Sequence, residues 1–181
     1  MSEIPAWATE RAVVLPYDPR WPERASGERT RLVELLGPWL ADGVEHIGST
    51  SVPGLAAKPI VDLMASVRDH TDGAVHGALT GDGWHLVPPE LDERPWRRFF
   101  VRASGQRRVA HLHVVSAGHR RWRDQIAFRD ALRADAGLAR EYTELKRGLS
   151  DRHGGDREAY TAGKSEFVAR VLRTYPGGYI P

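Results

Sequence analysis

The chain has 181 residues, no cysteine and a formal net charge of +2, with 41% hydrophobic and 28% charged residues. That length suits one well-packed domain of ordinary globular composition, and the missing cysteines exclude disulfides and Cys-ligated zinc. No apolar run approaches the ~18–20 residues of a membrane span and the N-terminus has no apolar signal core, so a cytoplasmic protein with no membrane partner is expected.

Residues 1–10 have no clear period and read as a tail, as do residues 174–181, which leaves a single domain over 11–173. Ala12–Leu15 reads as a short strand, broken by Tyr17-Asp18-Pro19. A helix is predicted from about Glu23 to Leu36 on the stripe of Leu32, Leu35 and Leu36, and Gly37-Pro38 ends it. Val44–Ile47 and Ile60–Val67 are short, apolar and β-branched, and read as strands. Thr71 or Asp72 caps a helix reaching Leu79, which Gly81-Asp82-Gly83 closes. Trp84–Val87 reads as a strand stopped by Pro88-Pro89, and 88–97 as an irregular loop. Arg98–Arg102 and Val109–Val115 read as strands with a turn at Ser104-Gly105. From Trp122 onward the chain is helical in character. Gly137 is the expected break, Leu138–Leu149 a second helix, and Asp156 the cap of a last helix ending near Leu172. Four or five strands followed by two or three helices make an α+β chain, a small mixed sheet with a helical C-terminal part.

The chemistry concentrates between Val44 and Val67. The turn at Gly48, Ser49 and Thr50 offers backbone N–H groups and hydroxyls to a phosphate, with glycine permitting close approach. Asp62 stands in the second strand amid Ile60-Val61 and Leu63-Met64, where a charge is costly unless paired or bound to a metal. Lys58 is its simplest partner. His111 and His113 share one face of their strand, because residues two apart in a strand point the same way. Either His113 serves as base or metal ligand, or one histidine is a satisfied core residue and the other faces solvent. His46 lies two residues before Gly48, so parity suggests a His46/Asp62/His113 metal set. Arg94, Arg97, Arg98, Arg102, Arg107, Arg108, Arg120, Arg121 and Arg123 crowd the middle of the chain, as a solvated surface or as an anion-binding rim. The net charge is too small to argue for nucleic acid, and no RNA-binding motif is present.

The run EHIGSTSVPGLAAKPIVDL closely resembles the GrpB family, a family assigned to the nucleotidyltransferase-like fold. The resemblance extends to VLPYDPRWP at Val14–Pro22, HLHVV at His111–Val115, FRDALR at Phe128–Arg133 and YTAGKSEFV at Tyr160–Val168, roughly residues 11 to 172. It implies a nucleotidyltransferase-like fold and a nucleoside triphosphate as substrate. It further implies a divalent metal (Mg²⁺ or Mn²⁺, with Zn²⁺ as the alternative suited to imidazole) and transfer of a nucleotidyl group to an acceptor the sequence does not name. Asp62 would then carry the metal and His113, His111 and His46 would be ligands or base. Gly48, Ser49 and Thr50 would hold phosphate, with Lys58, Arg98, Arg129 and Lys164 neutralising it. For Arg129 a salt bridge to Asp130 or Glu141 is the alternative. The chain departs from the superfamily at Met64, where a second carboxylate is usual, and this favours a binding module that has lost its chemistry. A His/Asp transition-metal enzyme is the third reading. In some bacteria a domain of this family is fused to dephospho-CoA kinase.

Overall fold

A computed structural model describes residues 13–153 and 157–175, excluding the side chains at 150, 153, 157, 158, 160 and 161. Among the described residues there are five strands and six α-helices: α1 (Arg20–Leu36), β1 (Leu40–Ile47), β2 (Val61–Val67), α2 (Gly73–Gly81), β3 (His85–Leu86), α3 (Pro89–Asp92), β4 (Arg98–Ser104), β5 (Arg107–Ser116), α4 (Arg120–Ala134), α5 (Ala136–His153) and α6 (Arg157–Thr174). The strands form one mixed sheet in the order β1-β2-β5-β4-β3. Only the central β2–β5 pair is parallel. No helix among the described residues is long and apolar enough to cross a membrane.

Strand parity divides the sheet into two faces. Val61, Leu63, Ala65 and Val67 of β2 join Ala110, Leu112 and Val114 of β5 in the main core. Trp21, Ala25, Leu32 and Leu36 form the buried stripe of α1 over this face, and Val75 and Leu79 of α2 complete it. Asp72 caps α2, its side chain accepting from the Ala74 N–H. The intervening residues, Asp62, Met64, His111, His113 and Val115, fall on the opposite face. A second cluster joins Val52 and Leu55, in the β1–β2 connection, to Leu132, Leu138, Tyr142, Phe167 and Val171 of α4, α5 and α6. The helical part thus grips the loop that carries the Gly-Ser-Thr turn.

Several expectations need correction. The first strand reduces to a bridge between Leu15 and Ala57, and Ala12 lies outside the described residues. The first helix begins at Arg20, since Trp21 is already part of its buried stripe and Pro22 sits in the first turn, where its missing N–H costs nothing. β1 starts at Leu40 rather than Val44, through an irregularity between Leu40 and Gly43. The strand at 84–87 is only His85–Leu86, because Trp84 turns into the core. The loop 88–97 contains the short helix α3. The break between α4 and α5 falls at Asp135, whose carboxylate accepts from the Gly137 and Leu138 N–H groups and starts α5 ahead of Gly137. The proposed Asp156 cap lies outside the described residues.

Gly48 links β1 to a single 3-10 turn, Ser49–Ser51, with φ of 70°. A Cβ at this position would lie 2.8 Å from Asp62 Oδ2 and 3.1 Å from Asp62 Cβ. Glycine therefore both permits the backbone conformation and lets the turn lie against the carboxylate. Gly48→Ala is expected to cost about 1–3 kcal/mol, read as a lowered urea midpoint at unchanged m-value. An unchanged midpoint would mean that the turn has no such constraint.

Candidate functional site

β2 and β5 run side by side with Asp62 opposite His111 and Met64 opposite His113. His111 Nδ1 lies 3.0 Å from Asp62 Oδ1 and His113 Nε2 lies 3.9 Å from the same oxygen. The Phe99 ring sits 5.1 Å from each imidazole, on the neighbouring strand. Burial acts to raise the Asp62 pKa, but the hydrogen bonds and charge from His111 and then His113 outweigh it and hold the carboxyl below its ordinary range. Asp62 is therefore an anion at neutral pH. His111 donates from Nδ1 to that anion, and its Nε2 is buried without a hydrogen-bond partner among the described residues.

His113 is held from its other side. Arg97 and Asp92 are each 6% exposed and form a two-bond pair, with Arg97 Nε 2.9 Å from Asp92 Oδ2. Arg97 also donates to His113 Nδ1 and lies 4.3 Å over the Phe99 ring. A guanidinium can only donate, so His113 Nδ1 accepts and its proton resides on Nε2, facing Asp62. Burial pushes the His113 pKa down to about 4, opposed by Asp62 and assisted by Arg97. Nδ1 is thus taken by a cation, and Nε2 faces the Asp62 carboxylate at 3.9 Å. Of the two nitrogens that strand parity offered as metal ligand or base, Nδ1 is occupied by Arg97.

Between the β1–β2 connection and the helical part lies a cleft of about 140 Å³, with Ser49, Thr50, Lys58, Asp62, His111, Lys146 and Lys164 among its lining residues. Lys146 comes from α5 and is 5% exposed. Its ammonium donates to Ser49 Oγ at 3.1 Å and to the Ala56 carbonyl at 2.6 Å, 5.0 Å from the centre of the Tyr142 ring. Burial, then the nearby charges of Lys164 and Arg147, bring its pKa down to about 8. The sequence reading missed this residue. The signal was present: Lys146 follows Leu138 and Tyr142 at four-residue steps and precedes the buried Leu149 by three, so it occupies the apolar stripe of its own helix.

The remaining candidates separate. Lys58 and Lys164 line the cleft with Lys146. His46 pairs with Leu63 in register, one step off the Asp62 face, and its Nε2 lies 2.9 Å from Thr50 Oγ1. Burial brings its pKa down to about 4. The His46/Asp62/His113 metal set is therefore not assembled, because parity read across the Gly48 turn does not survive the actual register. Among the described residues no group of three or more His, Asp or Glu is arranged to hold a metal ion. Arg98 pairs with Val114 on the face opposite His113 and donates to the Arg97 carbonyl, away from the cleft. Arg129 bonds Asp130, Glu45 at 2.6 Å and the His46 carbonyl, and so fastens α4 to β1. That is the salt-bridge alternative, with Glu45 in place of Glu141.

The buried histidines predict an acid-sensitive fold. Below pH 6.5 the unfolded chain binds protons that folded His113 refuses until about pH 4, so stability falls as pH drops through that window. Loss on the order of 3 kcal/mol attaches to His113. Urea denaturation at pH 7 and pH 4.5 should show a smaller drop for His113→Gln than for the parent chain, and equal drops would contradict this.

A family model described as GrpB protein matches residues 11–174. A UPF0157 protein of Pseudomonas aeruginosa is 40% identical over 169 residues, covering 90% of this chain and 67% of that protein. A UPF0157 protein of Streptomyces coelicolor is 40% identical over 157 residues, covering 86% and 79%. A dephospho-CoA kinase of Mycolicibacterium paratuberculosis is 27% identical over 88% of this chain, which spans 45% of that protein. Among solved structures, GrpB from Enterococcus faecalis superposes with a TM-score of 0.77 at 28% identity, over 90% of this chain and 99% of that one. The Cid1 poly(U) polymerase, solved as a mutant bound to MgATP, superposes with a TM-score of 0.56 at 11% identity over 83% of this chain and 50% of its own, a likeness of fold alone. The fold is nucleotidyltransferase-like, and the chain belongs to the GrpB family.

Proposed function

We propose that the chain binds a nucleotide, or another phosphate-bearing small molecule, with its phosphates in the cleft beside Ser49. The observation that carries this is the convergence of Lys58, Lys146 and Lys164 on one small cleft with the Ser49 hydroxyl. Burial first, and then the like charges of Lys164 and Arg147, raise the energy of the Lys146 ammonium and bring its pKa down to about 8. A polyanion relieves it. At about 140 Å³ the cleft is smaller than the ~300–1,000 Å³ that enclose drug-sized ligands. The phosphates therefore sit inside, and the rest of the molecule lies toward solvent.

A divalent cation fits beside these phosphates at one position. Asp62 is the only carboxylate on the cleft wall among the described residues, and Mg²⁺ or Mn²⁺ is commonly held by one carboxylate together with substrate phosphate oxygens. Such an ion would supply charge neutralisation at the phosphates. A pair of ions does not fit. The second-carboxylate position is Met64, 1% exposed among Ile47 and Val115, and His113 Nδ1 accepts from Arg97. His111 holds the Asp62 carboxylate from behind, as partners of metal-binding groups do.

A second reading, nucleotidyl transfer to an acceptor, has its support in the ionised Asp62 at the cleft wall beside the unpartnered His111 Nε2. In that reading Lys58, Lys146 and Lys164 stabilise charge on the phosphates and Asp62 carries the metal.

Thermal unfolding with nucleoside triphosphates, with and without Mg²⁺, Mn²⁺ or Zn²⁺, tests binding. A ligand at a hundred times its Kd should add about 2.7 kcal/mol. Ser49→Ala should weaken the shift, and Asp62→Asn should abolish its metal-dependent part. No shift with any triphosphate would overturn the binding reading. Pyrophosphate release that disappears in Asp62→Asn would establish transfer.

A further inference from the structure

The segment from Lys58 to Val61 separates two depressions. Lys58, Ile60 and Asp62 line the cleft already described, whereas Pro59 and Val61 line a groove of about 700 Å³ beneath α1 and the start of β5. Its rim carries Arg24, Arg31, Arg107 and Arg108, and Glu28 is its acid. Arg31 pairs with Asp82, and Glu28 lies 3.3 Å from Arg102. Arg24 spends one N–H on the Val109 carbonyl at 3.2 Å. Arg107 makes no ion pair with a described residue. The floor is Gly27, Pro59, Val61, Val109 and Ala110, which is apolar.

The groove is built by a bulge. Arg102 pairs with Ala110 and Ala103 with Arg108, so β5 spends two residues where β4 spends one, and Val109 is the extra one. In a regular strand Arg107 and Arg108 would point to opposite faces. Here both line the groove, at the end of β5 beside the bulge, and the bulged Val109 joins the floor while its carbonyl accepts from Arg24. Guanidinium groups recognise phosphate through paired N–H donors, and an apolar floor takes a ring or chain attached to it. Among the described residues the groove has no aromatic side chain on which successive bases would stack, which is what single-stranded nucleic acid sites use.

We propose that this groove is a second ligand site, distinct from the lysine cleft, and that it takes a small phosphate monoester with an apolar or ring-bearing body. Arg24, Arg107 and Arg108 hold the phosphate, and the Pro59–Val61 floor holds the body.

Calorimetric titration with phenyl phosphate and with inorganic phosphate, at near-physiological salt, tests it. Phenyl phosphate is expected to bind about tenfold tighter than inorganic phosphate, because the floor buries the ring. Arg107→Gln and Arg24→Gln, both exposed side chains, should each weaken it about tenfold, while Ser49→Ala leaves it unchanged. Equal affinity for the two anions, no binding by the parent chain, or Gln variants that titrate like the parent would each overturn the proposal. Binding lost in Ser49→Ala would assign the ligand to the cleft and overturn it as well. An unstructured oligothymidine that binds more tightly than phenyl phosphate, and loses that binding in Arg107→Gln, would replace the small ester with a nucleic acid strand.

Discussion

The buried ammonium of Lys146 ties the molecule together. A lysine removed from water is costly unless its donors are used, and here two of them reach Ser49 Oγ and the Ala56 carbonyl. Both acceptors lie on the connection between β1 and β2, whereas the lysine comes from α5. The bond therefore closes the helical part onto the phosphate-sized turn, in the same place where Val52 and Leu55 bury themselves among the helices. It also leaves a residue of electrostatic cost, since Lys164 and Arg147 stand near. An arrangement stabilised by packing yet opposed by like charge suits the entry of an anion.

The Asp62 carboxylate is shaped from the other direction. Asp92 holds Arg97, Arg97 donates to His113, and the far side of that imidazole faces Asp62 at 3.9 Å, while His111 hydrogen-bonds Asp62 directly. Each link fixes the protonation of the next: the guanidinium sets the tautomer of His113, which turns an N–H toward the carboxylate. The result is one ionised acid on the central pair of strands, beside a glycine where any Cβ would meet it. The histidines of this face stand beside the acid and help hold it ionised.

The strands on either side of the Gly-Ser-Thr turn were legible because β-branched runs bounded by glycine and proline carry a local signal. So were the α+β order and the helical end. The site was legible only where it is local in sequence. Asp62 and Ser49 stand out as polar groups in apolar or glycine-containing settings. Lys146 did not, because a lysine in a charged helix reads as surface unless its stripe is traced. His46 was misplaced because parity within a strand says nothing across a turn, where register is set by hydrogen bonding between strands. Arg97 was invisible for a related reason. Its partner Asp92 sits in a short helix inside a stretch rich in proline and charge, and its target lies on β5. Arg98, its neighbour in sequence, faces the other way, so composition alone could not separate the two.

The account rests on Lys146 meeting an anion, and its own ionisation reports that most directly. The side-chain Nζ and Cε resonances of Lys146, followed by NMR across pH 6 to 11 and assigned by comparison with Lys146→Met, should give a pKa near 8 in the free protein. Addition of tripolyphosphate should raise that pKa toward the ordinary lysine value, because a neighbouring anion favours the charged form. A pKa that stays where it is at saturating tripolyphosphate would mean that no phosphate reaches the cleft, and would contradict the account at its centre.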